Sequence, residues 1–278
     1  MGRSGAEAVF RTLDLISELG HYPTGASVSV LAERLGVPAP TVHRLLQALV
    51  GRRFAVQDPV SKRYALGSVI ISLANRVSGS VRLVAVARPV LDDLCSATRE
   101  TVFLSMFDGK NIVYLDCIIS NRSIQMWGAP GMCGPVHATS QGKAILAFLP
   151  EANLERILAT LELRPFTQRT ITDKELLLRE LRSVRERGFA TSDEEHEEGV
   201  RSVAAPILDA SGHSIAAVCV GVPAFRVSIT ELERRIAPAV LKAVGEISKL
   251  VQEYGIGTPE SPGRQGLCVP VATESGGL

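Results

Sequence analysis

The sequence has no run of about 18 consecutive apolar residues, so it offers no transmembrane helix. Its start, MGRSGAEAVFRTLDLI, carries acids inside the apolar stretch and lacks a secretory h-region, so the expected location is the cytoplasm, with no membrane partner. The five cysteines (Cys95, Cys117, Cys133, Cys219 and Cys268) are odd in number, widely spaced and free of any CxxC. That argues against a disulfide framework and against a zinc ribbon. No internal repeat is present. With 46% hydrophobic and 21% charged residues, the composition is neither that of a disordered chain nor of a collagen. At 278 residues, two domains or one large one are expected.

Net charge is also nearly absent, at +1, but the total hides a division. Residues 1–78 hold nine Lys and Arg against five Asp and Glu, a balance of +4, which leaves −3 for the remaining 200 residues. A basic first quarter on a slightly acidic body suggests a head that faces nucleic acid.

Residues 6–20 place Val9, Phe10, Leu13, Ile16 and Leu19 at helical spacing, with Gly20 as the stop. A loop over 21–26 leads to a second helix, with Ser29 as N-cap and Gly36 as its end. A tight connection then opens a third helix over 41–49, with Val42, Leu45, Leu46 and Leu49 facing inward. Two short strands around Asp58-Pro59 form a hairpin. A linker helix follows over 67–79, with a break or hinge at Gly79-Ser80, and another helix covers 82–99. Beyond it, strands are expected at 101–107, 111–118, 123–127, 202–208 and 214–222, and helices at 141–148, 151–161, 173–187 and 230–253. Asp108-Gly109 suits a hairpin turn. This order implies an antiparallel α+β domain over 80–254. Residues 255–278 are rich in Gly, Pro, Ser and Thr and read as a disordered tail.

Helix, short turn, helix and hairpin make a winged helix-turn-helix over residues 6–66. The third helix would enter a major groove about 12 Å wide, presenting Thr41, His43, Arg44 and Gln47. Arg pairs with guanine and Gln with adenine through two hydrogen bonds each. Ser29 and Pro40 stand at the helix starts, where backbone N–H groups meet phosphate. Arg52, Arg53, Lys62 and Arg63 bracket the hairpin, placed for phosphates or the minor groove. Arg44 has a rival role, bracing the fold through an acid such as Glu33.

These residues carry a resemblance. Arg11-Thr12-Leu13-Asp14-Leu15, Leu31-Ala32-Glu33-Arg34-Leu35-Gly36-Val37-Pro38, Thr41-Val42-His43-Arg44-Leu45-Leu46 and Arg63-Tyr64-Ala65-Leu66-Gly67 resemble the N-terminal domain of the IclR family of bacterial transcriptional regulators. One departure is Pro40, where the family usually carries Ser; proline suits a first helical turn, but a hydroxyl for phosphate is lost. The second half resembles the family's effector-binding domain through Pro135–Ala144, Arg187–Ala190, Asp193–Ile207 and Ala216–Pro223.

The resemblance implies a GAF- or profilin-like effector domain, with pocket positions at Ser140, Gln141, Ser192, Ser202, Cys219 and Gly221 and flexible walls from Met126, Met132 and the loop 128–135. Ser192, Ser202 and Gly221 stand where relatives that sense small acids carry aspartate, cysteine and serine, so a less polar or larger pocket is expected. The helix starting after Ser140 offers its amides to a carboxylate. The expected protein is a ligand-responsive repressor of operator DNA, sensing a small organic or aromatic acid. It acts as a homodimer or homotetramer, with no cofactor and no metal.

Simpler readings stand beside these. Asp193–Glu198 reads as a solvated acidic face, His137 as a brace for the helix start, and Cys219 as a small buried hydrophobe. Cys133 and His137 have a C-x3-H spacing without further ligands. The alternative function is a small-molecule hydrolase or thiol enzyme using Ser140, Lys143, His137 or Cys219; no nucleophile has an evident base and orienting partner. A third class is an oligomeric interaction module with a vestigial DNA domain.

Overall fold

The computed structural model describes residues 3–76 and 79–256, with side chains over 7–73 and 80–256. The chain divides into two compact units, residues 1–81 and 82–278. The predicted tail falls mostly on 257–278, outside the described residues. Its first two positions do not behave as a tail: Ile256 is buried in the core of the second unit and its N–H bonds the Val251 carbonyl.

In the first unit, α1 (Arg3–Leu19), α2 (Val28–Leu35) and α3 (Ala39–Gly51) precede the hairpin of β1 (Ala55–Gln57) and β2 (Tyr64–Leu66), and α4 (Ser68–Arg76) follows. The core is small: Leu15, Leu19, Leu31, Val42, Leu46, Leu49 and the fully buried ring of Tyr64. The α1 stripe is corrected in part: Leu19 and Ile16 join the core as expected, Leu15 joins them, and Val9, Phe10 and Leu13 are 57%, 65% and 54% exposed. The α2 cap is corrected too. Ser27, not Ser29, accepts the Val30 N–H, and the helix starts two residues earlier than expected. Gly36 ends α2 in the left-handed conformation that glycine adopts without steric cost.

The division between the units falls within α5 (Gly79–Thr98), so Gly79 and Ser80 lie in a helix and not at a break. Residues 77–78 are outside the described residues. Then come β3 (Thr101–Phe107), β4 (Asn111–Ile118), β5 (Cys133–Pro135), α6 (Ser140–Ala147), α7 (Glu151–Thr160), α8 (Lys174–Arg187), β6 (Ala190–Asp193), β7 (Val200–Leu208), β8 (Ser214–Pro223), α9 (Ile229–Glu231) and α10 (Ala237–Glu253). A π turn over Leu232–Ile236 joins the last two.

Six strands form one antiparallel sheet in the order β5-β4-β3-β8-β7-β6. One face, with Val102, Leu104, Val218 and Val220, packs under α5 and α10. The other, with Phe103, Ala204 and Cys219, packs under α6 and α8. The strand expected at Ser123–Trp127 does not form. Its carbonyls bind side chains instead of a neighbouring strand: Met126 O accepts from Thr101 Oγ1 at 2.8 Å and Ile124 O from Arg226. Short β5 and β6 were absent from the expected set.

Candidate DNA-reading and effector sites

In the first unit, α3 turns Val42, Leu46 and Leu49 inward. Pro40, His43, Arg44 and Gln47 follow at helical spacing on the exposed face, while Thr41 is half-buried. No ion pair joins Arg44 to Glu33 among the described residues, so the bracing role does not occur. Gln47 is not wholly free: its Nε2 donates to the Tyr64 hydroxyl at 2.9 Å and ties α3 to the hairpin. Ser29 is exposed and its hydroxyl meets that of Ser27 at 2.9 Å.

The wing turn is built by Asp58, whose carboxylate accepts from the Val60 and Ser61 amides and the Ser61 hydroxyl. Those bonds, the Ser61 amide first, hold Asp58 below the ordinary carboxylate range. Arg52, Arg53, Lys62 and Arg63 are exposed around it. Arg63 bends back toward the Gly25 carbonyl at 3.4 Å, the one wing cation with a fold contact among the described residues.

In the second unit the register sets the site. Ser192, Ser202, Gly221 and Thr101 form one row across β6, β7, β8 and β3. The next row is Ala190, Ala204, Cys219, Phe103 and Cys117. The start of α6 lies over these rows. Ser140 Oγ is 2.7 Å from Ser202 Oγ, 3.5 Å from Cys219 Sγ and 3.4 Å from Gln141 Oε1. Thr139 caps α6 at the Gly142 amide, and the first-turn amides of Ser140 and Gln141 have no partner inside the helix. Ser140, Gln141, Ser202, Cys219 and Gly221 are thus brought together.

Two expected positions make contacts outside this cluster. Ser192 donates to the Ala138 carbonyl at 3.0 Å and braces the segment before α6. Met132 folds onto its own turn, its Sδ 3.2 Å from the Ala129 amide. Met126 does reach the site, since a side chain at Gly221 would meet Met126 Cγ at 3.2 Å and Phe103 at 3.1 Å.

The sequence reading missed Thr101, Phe103, Tyr114 and Gly128. Phe103 and Tyr114 pack with centroids 5.0 Å apart, and a Cβ at Gly128 would press on both, at 2.8 and 3.2 Å. Burial pushes the Tyr114 phenol up, and Gln141 lies within hydrogen-bonding reach of it. Period-two alternation along β3 was the available signal for Thr101 and Phe103, but it becomes informative only once β3 is known to pair with β8.

The acidic run is half buried, contrary to the solvated-face reading. Lys143, 1% exposed, meets Glu195 at 2.6 Å and Glu180 at 3.9 Å. Burial raises the Glu195 carboxyl above its usual range, against the pull of Lys143. Asp193 is held by Arg169 and Arg201. Glu197 and Glu198 remain exposed.

His137 Nε2 sits 3.0 Å from the Arg164 carbonyl, a brace to a neighbouring loop, and burial lowers its basicity. Burial pushes the Cys219 and Cys117 thiols up to about 12, so neither is a thiolate at neutral pH. Ser140 faces hydroxyl and thiol groups rather than a base, and Lys143 is committed to carboxylates. Among the described residues no cluster of His, Cys, Asp and Glu is placed to hold a metal, and no helix is long and apolar enough to cross a membrane.

A winged helix-turn-helix followed by an α+β unit with a six-stranded antiparallel sheet is the architecture of a one-component transcriptional regulator. The IclR helix-turn-helix domain matches residues 8–59, and the bacterial transcriptional regulator IclR C-terminal domain matches residues 75–249. The chain belongs to the IclR family: it is a DNA-binding transcriptional regulator with a small-molecule effector domain, not an enzyme. The HTH-type transcriptional regulator BhcR of Paracoccus denitrificans (strain Pd 1222) is 32% identical over 244 residues, 88% of this chain and 87% of that one. The IclR of Thermotoga maritima superposes with a TM-score of 0.71 at 30% identity, covering 88% of this chain and 99% of that one. The inducer-binding domain of the PobR transcription factor from Acinetobacter, a double mutant complexed with 3-hydroxybenzoic acid, gives 0.56 at 30% identity over 60% of this chain and 98% of its own.

Proposed function

We propose that the chain is a cytoplasmic repressor that reads double-stranded operator DNA through α3 and the wing and releases it on binding a small organic or aromatic acid. The observation that carries the ligand reading is the polar cluster of Ser140, Gln141, Ser202 and Cys219 at the start of α6, set against Phe103, Tyr114 and Met126. Hydroxyls and first-turn amides suit a carboxylate. The aromatic pair suits a flat apolar body. The 3-hydroxybenzoic acid bound by the PobR domain favours the same ligand class.

On the DNA side, Arg44 and His43 stand exposed on α3 while Arg52, Arg53 and Lys62 surround it. One recognition helix reads few base pairs, so a two-fold dimer is the expected reader. The exposed apolar face of Val9, Phe10 and Leu13 supports pairing through the first unit, with a tetramer through the effector units as the larger assembly. The units divide as a DNA-binding domain over 6–66, a linker helix and an effector domain to 254.

The test is a thermal-shift screen of the full chain against small carboxylic and aromatic acids. A stabilising hit should lower operator affinity in a gel shift. If no acid of this class shifts the melting temperature, the ligand assignment fails; a hit that strengthens DNA binding makes the protein an activator-type or co-repressed regulator.

A further inference from the structure

The second unit holds a groove that the effector site does not use. It lies where α5 ends beside the end of β4, on the side of the sheet opposite α6. Its volume is about 690 Å³, and its polar lining includes Asp92, Ser96, Arg99, Ser120, Asn121 and Arg122.

The charges around it do not balance. Buried Glu100 receives both contacts from Arg226 Nη1 at 2.9 Å and faces Arg122 Nε at 3.4 Å. Arg88 bridges Asp92 and Asp116, at 3.2 Å to each. Arg88, Arg99, Arg122 and Arg226 against Asp92, Glu100 and Asp116 leave one positive charge. Its address is Arg99, whose guanidinium has no hydrogen-bond or ion-pair partner among the described residues. The same holds for the Ser96 hydroxyl and the Asn121 amide on the same lining. A guanidinium fork beside a hydroxyl and an amide suits an oxyanion.

The groove is also connected to the effector site. Arg122 Nε donates to the Arg99 carbonyl at 2.8 Å. Thr101, fully buried, accepts from the Ser120 amide at 3.2 Å and donates to the Met126 carbonyl at 2.8 Å. Arg226 reaches from Glu100 to the Ile124 carbonyl at 2.5 Å. The segment 120–128 therefore runs from the groove, at Asn121 and Arg122, to the effector site, at Met126 and Gly128, pinned by Thr101 and Arg226.

We propose that this groove is a second ligand site, for a small oxyanion, whose occupancy is felt at the effector site through segment 120–128. An oxyanion on Arg99 and Arg122 competes with Glu100 for Arg122 and so loads the segment that carries Met126.

Trp127, the single tryptophan of the chain, sits on that segment and reports on it. The full-length protein is titrated with malonate and, separately, with inorganic phosphate, ionic strength being held with chloride. Trp127 emission and binding heat are both read. At least one of the two anions should saturate, and which one does tells a carboxylate from a phosphate preference. Arg99→Asn keeps a residue that tolerates the left-handed backbone at this position (φ 57°). It should raise the apparent Kd by about tenfold or more, the loss of one charge-assisted contact. The proposal is overturned if neither anion saturates by either readout, or if Arg99→Asn saturates where the wild type does.

Discussion

The two units treat their polar functional residues in opposite ways. In the first, His43, Arg44, Arg52, Arg53 and Lys62 stand exposed to solvent on α3 and the hairpin that follows it. In the second, Ser140, Gln141, Ser202 and Cys219 are drawn onto one another. A reading head of this kind is preformed, and its groups lose only water on binding. A sensing site whose hydroxyls already satisfy each other binds a ligand by exchanging internal hydrogen bonds for external ones, and that exchange can bias a conformational equilibrium.

The comparison breaks most visibly at Lys143. Lys143→Met leaves Glu195 buried without its cation, a loss of about 3–5 kcal/mol. Denaturant unfolding followed by Trp127 should show this destabilisation in the second unit. A change under about 1 kcal/mol would mean that water reaches Glu195 and that the pair is not a buried one. Arg44→Ala should weaken operator binding by about 1–3 kcal/mol by anisotropy titration while leaving stability unchanged. Unchanged affinity would remove Arg44 from the reading face.

Lys62→Ala or Arg53→Ala should weaken binding to all duplexes alike and lower the salt slope by about one unit; an unaltered slope would take the wing off the phosphates. Tyr64→Phe removes the acceptor of Gln47 Nε2 and should cost about 1 kcal/mol of stability in the first unit.

A smaller effect follows pH. Burial lowers the folded-state pKa values of His137 and His196 below the ordinary 6.5. The unfolded chain therefore takes up protons first, so their contribution is complete above 6.5 and is lost as pH falls through the folded values. The melting temperature should drop between about pH 7 and 5, and His137→Asn should flatten that slope.

The same contrast explains what could be read from the sequence. α2, α3 and the hairpin were legible because their signals are local: helical spacing ending at Gly36, and a turn at Asp58-Pro59. The misses there were local too, two residues at the Ser27 cap and an α1 stripe of which Ile16 and Leu19 join the core while Val9, Phe10 and Leu13 lie exposed. In the second unit Ser140, Gln141, Ser202, Cys219 and Gly221 were reached through resemblance to a family and not through spacing. Their convergence depends on strand register between β3, β7 and β8, which has no local code. For the same reason Thr101 and Phe103 went unnoticed, and residues 123–127 passed for a strand. The acidic run misled because burial of Glu195 depends on Lys143, 52 residues away.

The most direct test of a sensor that gates a separate reader is one titration on two proteins. Wild type and Ser140→Leu are bound to a duplex that the wild type selects from a random pool, with and without the acid found by thermal shift. The account predicts equal affinity for the two proteins without acid, and a loss of affinity on adding acid for the wild type alone. The same acid-induced loss in Ser140→Leu would contradict it.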